Sequence, residues 1–335
     1  MRPPRNFYVR TFQREAGMLS RVADNLYWMS RYLERAEHTA RLLDVELQLW
    51  LDQSPDVGAG RWRFLVDALQ VGGVQGRLDP MHLAETLVFS RENSSSIVSC
   101  VSAARENLRH VREQCSSEMW GQLNKLYLQI IDRRPEEGWI LNSHDLFRAV
   151  QEGAHLFQGI TDGTMSHGEG WQYIQLGRYV ERTHTLAALM VTHFKRAAAP
   201  SDLPADSSEY LSWVGLLRGC AAFEAYCKAQ TAEIRPLRVA EFLLLNPELP
   251  HSIRFSVDRM TAALHVIGDL TERREKIPAR IAGRLRAKLS FSQIEEIMEG
   301  GVGAYLEEIR SECVEMHSAI HQIYFDYAID AELAS

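Results

Sequence analysis

Cysteine is sparse in this sequence and unpatterned. The five residues (Cys100, Cys115, Cys220, Cys227, Cys313) are odd in number and form no C-x-x-C pair, which argues against a disulfide framework or a cysteine-only metal site. Most fall within helical patterns, as buried free thiols of a reducing cytosol do. Surplus positive charge is missing as well. The 44 acidic and 37 basic residues leave a net charge of -7, so general nucleic-acid binding, which needs excess Lys and Arg for phosphates, is not expected. No apolar run approaches the length needed to cross a bilayer, so no membrane span is expected and the cytoplasm is the expected location. The opening, MRPPRNFYVRTFQREAG, carries several arginines but no apolar h-region of a secretory signal. Residues 1–17 read as a flexible arm, consistent with an upstream start ahead of Met18, where strong helical patterning begins.

Strand-type alternation is also scarce. From Leu19 the apolar positions run Leu19, Val22, Leu26, Met29, Leu33, Ala36, Ala40, Leu43, Leu47, Trp50, a three-four alternation that specifies a long helix packed along one stripe. Further helical segments are expected over 61–71, 81–89, 94–131, 143–161, 169–197, 208–230, 236–245, 250–272, 278–298 and 303–331. Breaks fall at Pro55, at Gly72-Gly73, and at DRRPEEG, AAAPSDLPADSS, NPELP and GGVG. The class is all-α, a bundle of long helices with short links.

A repeat runs through it. Glu34 in RYLERAEHTARL corresponds to Glu181 in GRYVERTHTLAAL, 147 positions on. Trp62 corresponds to Trp213 at 151 positions, and Glu85 to Glu241 at 156. Three matches in the same order with slowly drifting offsets predict a tandemly duplicated bundle, residues 18–163 and 164–335, whose two halves pack as one unit.

The repeated segment carries the candidate chemistry. Projected at about 100° per residue, Tyr27, Arg31, Glu34, His38 and Arg41 share a face pointing away from the apolar stripe. In the second copy Ile174, Arg178, Glu181, Thr185 and Ala188 take those places. Arg-Glu pairs at this spacing usually decorate a wet helix. The apolar neighbours of the second copy predict at least partial burial instead. Along 94–131, Arg105, Arg109 and Arg112 line up, with Glu106 and Glu113 beside them. Three guanidinium groups on one face need acids or a bound anion to neutralise them, and Glu34 and Glu181 are placed to approach from facing helices. Either a salt-bridge network or a phosphate- or carboxylate-binding site fits, with Arg31, Arg35, Arg178 and Arg182 as further ligands. Glu92, Asn93, Glu118, Thr164 and Glu169 stand near helix ends as supporting polar groups, and Ser166 or Gly168 is suited to start the second Arg-Glu helix.

Other signals stay weak. His317 and His321 have a zinc-compatible spacing but no Glu follows the first, and no third ligand is apparent, so they are expected to be surface or capping residues. GGVG lacks the Lys-Ser/Thr pair of a phosphate loop, and the E-x-x-H pairs of a di-iron bundle are absent as a set. No metal or cofactor is expected.

The segments MLSRVADNLYWMSRYLERAEHTARLLDV (18–45), SRENSSSIVSCVSAARENLRHVREQCSSEMW (90–120), TMSHGEGWQYIQLGRYVER (164–182) and RPLRVAEFLLLNPELPHSIRFSVDRM (235–260) together resemble the bacterial alpha-E family. That family is named for a Glu-Arg motif in an all-helical domain, and the resemblance covers nearly everything from Met18 onward. It implies company more than chemistry: alpha-E proteins are typically encoded beside, or fused to, circularly permuted ATP-grasp proteins and transglutaminase-like peptidases. The implied role lies in a system that makes, modifies or cleaves peptide-type amide bonds. Glu34, Arg35, Glu181 and Arg182 carry over only as motif residues. Three functions remain open: a helical partner or scaffold of such a ligase, an enzyme using Glu34 or Glu181 as acid or base between the repeats, and a phosphate- or carboxylate-ligand sensor. Self-association into a homo-oligomer is left open too.

Overall fold

The computed structural model describes residues 18–51, 55–71, 80–135, 139–197, 205–230, 233–271 and 276–325. The expected arm at 1–17 lies outside them, as do the Gly72-Gly73 break and the last residues of the final expected helix. Among the described residues there are fourteen α-helices and no strand.

The two longest, α1 (Ser20–Leu51) and α7 (Glu169–Ala197), lie side by side at the centre. Both are buried on nearly every face, which is why each carries a polar stripe that cannot simply point to water. Between them in the chain run α2 (Pro55–Ala68), α3 (Pro80–Val88), α4 (Ile97–His110), α5 (Ser117–Ile130) and α6 (Ser143–Thr164). After them come α8 (Ala205–Gly219), α9 (Phe223–Gln230), α10 (Pro236–Leu245), α11 (Ile253–Leu270), α12 (Ile277–Phe291), α13 (Ile294–Gly300) and α14 (Val302–Ile320), closed by a π-turn at His321–Phe325. Helix α1 packs on α4 and α6, with α5 joining those two. Helix α7 packs on α11 and α14, with α12 joining those. The short helices cross over: α2 lies mainly against α7, and α8 against α1.

Local chemistry sets the helix starts. Ser96 caps α4 by accepting from the Ser99 amide at 3.1 Å while donating to the Ser90 carbonyl at 2.5 Å. Ser252 caps α11 in the same way, accepting from the Phe255 amide at 3.0 Å and donating to the Asn246 carbonyl at 2.5 Å. Both serines are fully buried, so each hydroxyl satisfies groups that water does not reach.

The expected helix 94–131 is two helices. The chain leaves α4 at Val111, passes a short 3-10 turn at Arg112–Gln114, and restarts where Ser116 caps α5 through the Met119 amide at 3.1 Å. The Ser-Ser-Glu at 116–118 is a helix-start signal that the continuous apolar spacing had masked. The expected 208–230 helix breaks at Ala221, whose φ is 49°. The expected 278–298 helix breaks at Ser292, whose hydroxyl bonds the Lys288 carbonyl at 2.8 Å. Pro55 opens α2 rather than only ending α1, since its missing N–H costs nothing in a first turn.

One glycine fixes the central crossing. A Cβ on Gly177 of α7 would stand 2.3 Å from the backbone oxygen of Tyr27 on α1, so only glycine allows the two helices to approach this closely. No helix among the described residues is long and apolar enough to cross a membrane.

Candidate functional site

The close α1–α7 approach brings the two repeated motifs face to face. On each helix the residues at i, i+3 and i+4 share one side: Arg31, Glu34 and Arg35 on α1, and Arg178, Glu181 and Arg182 on α7. The pairing runs across the interface. Glu181 accepts from Arg31 Nε at 2.7 Å and from Arg35 Nε at 2.5 Å. Glu34 accepts from Arg182 Nε at 2.5 Å, with Arg178 Nε at 3.8 Å and the Gln158 amide at 3.4 Å. Arg182 also donates to the Pro250 carbonyl at 3.0 Å. Glu34 is 2% and Glu181 1% exposed, so these pairs are shielded from water and salt, unlike surface ion pairs.

Burial alone raises the Glu181 carboxyl pKa, but Arg31 and Arg35 overcome it and bring it down to about 2. Burial works against Arg31 and Arg182 as well, and their carboxylate partners more than compensate, so both are raised. Arg178 goes the other way, lowered by burial and by the adjacent Arg182. It is the loosest member, and its Nε has no hydrogen-bond partner among the described residues. The guanidinium groups also lie against aromatic rings: Arg31 is 4.9 Å from the Trp28 ring, and Arg178 and Arg182 lie 5.2 and 5.4 Å from that of Tyr179.

Two neighbouring sets extend the layer. Tyr27 Oη and Arg31 Nη1 stand 2.9 and 3.0 Å from Nδ1 of His317. Arginine only donates, so Nδ1 is the acceptor and the ring proton sits on Nε2. Burial, Arg31 and His321 push the His317 pKa down to about 3. The surface or capping role expected for the two histidines divides: His321 stands at the C-cap of α14, its amide donating to the His317 carbonyl, whereas His317 is half-buried and stacks on Tyr27 with centroids 5.8 Å apart. On the other side Glu37, 1% exposed, accepts from Arg41 and has His155 Nε2 at 3.5 Å. Its pKa is raised by burial but lowered further by Arg41 and His155, and falls well below the usual range.

The arginine stripe of 94–131 does not join this layer. Arg105 donates to Asn124 at 2.8 Å and lies 4.6 Å from the Tyr127 ring, both on α5. Arg109 pairs with Glu106 on the surface, its Nε 3.0 Å from the carboxylate. Arg112 is on the turn after α4, over Trp120 at 5.1 Å. The helix break at 111–116 takes Arg112 off the face that Arg105 and Arg109 share on α4, and each of the three is engaged by its own partner rather than by Glu34. Of the supporting polar residues, Asn93 shapes the turn before α4 by accepting from the Ser95 amide at 3.0 Å. Thr164 Oγ1 meets Ser116 Oγ at 2.8 Å, and Glu169 accepts from the Met18 amide at 2.9 Å. Glu92 and Glu118 are exposed. None of these five touches the Arg-Glu layer.

Glu37, Gln158 and His317 were the residues that motif reasoning passed over. Glu37 is adjacent to the repeated motif without belonging to it, since His184 takes its place in the second copy. Gln158 and His317 reach the layer only through the packing of α6 and α14. No group of three or more His, Cys, Asp or Glu among the described residues is arranged to hold a metal ion.

Comparison with known proteins follows the same motif. The model of the family described as Alpha-E, "a predicted alpha-helical domain with a conserved ER motif", matches residues 18–325. An uncharacterized protein of Mycobacterium bovis is 25% identical over 331 residues, covering 92% of this chain and 36% of its own length. Two uncharacterized proteins of Mycobacterium tuberculosis are 25% and 24% identical with the same coverage. The chain thus spans 36% of the length of these curated relatives. No solved structure matches it.

Proposed function

Because this chain belongs to the Alpha-E family, whose defining motif forms the buried layer between α1 and α7, we propose that it is a non-catalytic helical partner of a peptide or amide-bond-forming system. It works with a circularly permuted ATP-grasp ligase and a transglutaminase-like peptidase, holding the ligase or its peptide substrate. The observation that carries this reading is the engagement of both buried motif glutamates across the α1–α7 interface. Each is spoken for by arginines of the opposite helix, and Glu181 stays ionised down to about pH 2. A general acid must carry a proton near working pH and a general base must have a lone pair aimed at substrate. Glu181 carries no such proton, which weighs against a general-acid role for it. The motif then serves as a lock that fixes the angle between the two central helices.

Two further observations support the reading. The mycobacterial relatives carry this region within a chain nearly three times its length, as expected where the helical unit and its partner are fused. The matched capping of α4 and α11, and the reciprocal arginine pairing, favour descent from a duplicated half. In that reading the lock holds two related halves together and leaves the outer helices free to dock. Co-purification with the ATP-grasp protein encoded nearby, and a change in ligase turnover when the chain is withdrawn, are the expected results. No association and unchanged ligase turnover would refute the partner role.

A further inference from the structure

The arginines and glutamates of the central layer do not balance. Among the described residues the ion pairs of Arg31, Arg35, Arg178 and Arg182 run to Glu34 and Glu181 alone, four cations to two carboxylates. Buried charge needs a partner or access to water, and the two arginines that retain some exposure are Arg35 and Arg178, at 24% and 17%. The space each faces is very different. Arg178 borders a crevice of about 10 Å³, too small for any ligand. Arg35 borders a cavity of about 190 Å³ between α1, α7, the end of α2 and the turn before α4.

The walls of that cavity are suited to one negative group. Among the described residues Glu181 is the only carboxylate lining it, and it is already bound by Arg31 and Arg35. The described hydrogen bonding of Arg35 uses Nε alone, which leaves its terminal nitrogens as a fork of the kind that captures a carboxylate. His38, 5% exposed, lines the same space, and its Nε2 is buried with no hydrogen-bond partner. Thr39, Gln70, Ser95, His184 and Thr185 add polar lining, while Leu69 and Leu87 supply an apolar side. His38 is held neutral by burial, so the cluster of Arg31, Arg35 and Glu181 carries one net positive charge, presented to the cavity by Arg35 beside neutral donors. That suits a monoanion better than a phosphate dianion.

A second hollow continues outward. A groove of about 740 Å³ shares Gln70, Val71 and Ala188 with the cavity. Among the described lining residues the basic Arg63, Lys195, Arg196 and Arg310 outnumber the acidic Asp67 and Glu307. A chain lying there is drawn in by its acidic side chains.

We propose that this cavity is a binding site for the C-terminal carboxylate of a short acidic peptide, with the carboxylate on Arg35 and the preceding residues in the groove. It needs no turnover by this chain and stands whether or not a ligase partner is found.

The test is calorimetric titration of the full chain with N-acetyl-glutamyl-alanyl-alanine and with the same tripeptide as its C-terminal amide. The free acid is expected to bind and the amide to bind at least about tenfold more weakly, as follows from losing a charge-assisted pair. Arg35→Gln removes the fork, and Ser95→Leu fills the cavity without touching the ion pairs; both are expected to abolish binding of the acid. If Arg35→Gln fails to fold, Ser95→Leu and the acid–amide pair decide alone. Equal binding of acid and amide, no binding of the acid at millimolar concentration, or wild-type binding by folded Ser95→Leu overturns the proposal.

Discussion

Arg182 reaches from α7 to Glu34 on α1 at 2.5 Å, and Arg35 makes the reverse reach to Glu181 at the same distance. Each helix therefore supplies both signs of charge, and neither carboxylate can be removed without stranding arginines of the other helix. Truncating one partner of a buried pair is far costlier than the pair is worth, because the remaining charge keeps its desolvation penalty. Glu181→Gln strands Arg31 and Arg35 and is expected to lower unfolding free energy by roughly 3–5 kcal/mol. Urea denaturation measures it; a loss below about 1 kcal/mol would mean the layer is as wet as a surface ion pair.

The central crossing makes a second, opposite pair of predictions for the same substitution. Glycine inside a helix ordinarily destabilises by about 0.5–1 kcal/mol relative to alanine. At Gly159 on α6 a Cβ meets nothing within 4 Å, so Gly159→Ala should stabilise by about that amount. At Gly177 the Cβ would collide with the Tyr27 backbone oxygen at 2.3 Å, and a backbone atom cannot rotate away. Gly177→Ala should destabilise by about 1–3 kcal/mol and lower the melting temperature while Gly159→Ala raises it. The same sign for both would show that α1 and α7 have room between them.

These residues also mark how far the sequence could be read. The helical class and the repeated Arg-x-x-Glu-Arg spacing are local signals, visible because apolar positions recur every three or four residues. What Glu34 touches is not local: its partners Arg182, Gln158 and Arg178 stand more than a hundred positions away. The arginine stripe lost Arg112 for a specific reason. A Ser-capped helix start at 116 sits inside an unbroken apolar rhythm, and periodicity alone does not register a change of direction. His317 was misjudged because its environment is set by Tyr27, 290 positions earlier, rather than by its own helix.

Stability should fall steadily as the solution is acidified, in two overlapping stages. Burial, Arg31 and His321 lower the His317 pKa from 6.5 to about 3, so between those values the unfolded chain takes a proton that the folded protein refuses. The slope is therefore towards lower stability as pH falls. His38, His184 and His251 are lowered too, mainly by burial, and add in the same direction. Glu181, brought from 4.5 to about 2, extends the loss through the more acidic window for the same reason. Urea midpoints measured from pH 8 to pH 4 should be flat at the top and decline below about 6.5. His317→Gln should reduce the decline between pH 6.5 and 4; an unchanged slope would mean His317 titrates as a free surface histidine.

The last contrast concerns two arginines four positions apart on α4. Arg105 is half-buried, donates to Asn124 at 2.8 Å and stacks over Trp120 and Tyr127, so it ties α4 to α5 through its stem and its plane as much as through its charge. Arg109 is exposed and among the described residues engages only Glu106 and His110, neighbours on its own helix turn. Surface pairs of this kind contribute little because water and salt screen them. Arg105→Ala should therefore lower the melting temperature measurably, and Arg105→Lys should not fully restore it, since an ammonium lacks the flat face that rests on the rings. Arg109→Ala should leave the melting temperature unchanged at both low and high salt. A marked loss in Arg109→Ala would require a partner for that side chain outside this chain, and would move attention from the α1–α7 layer to the exposed face of α4.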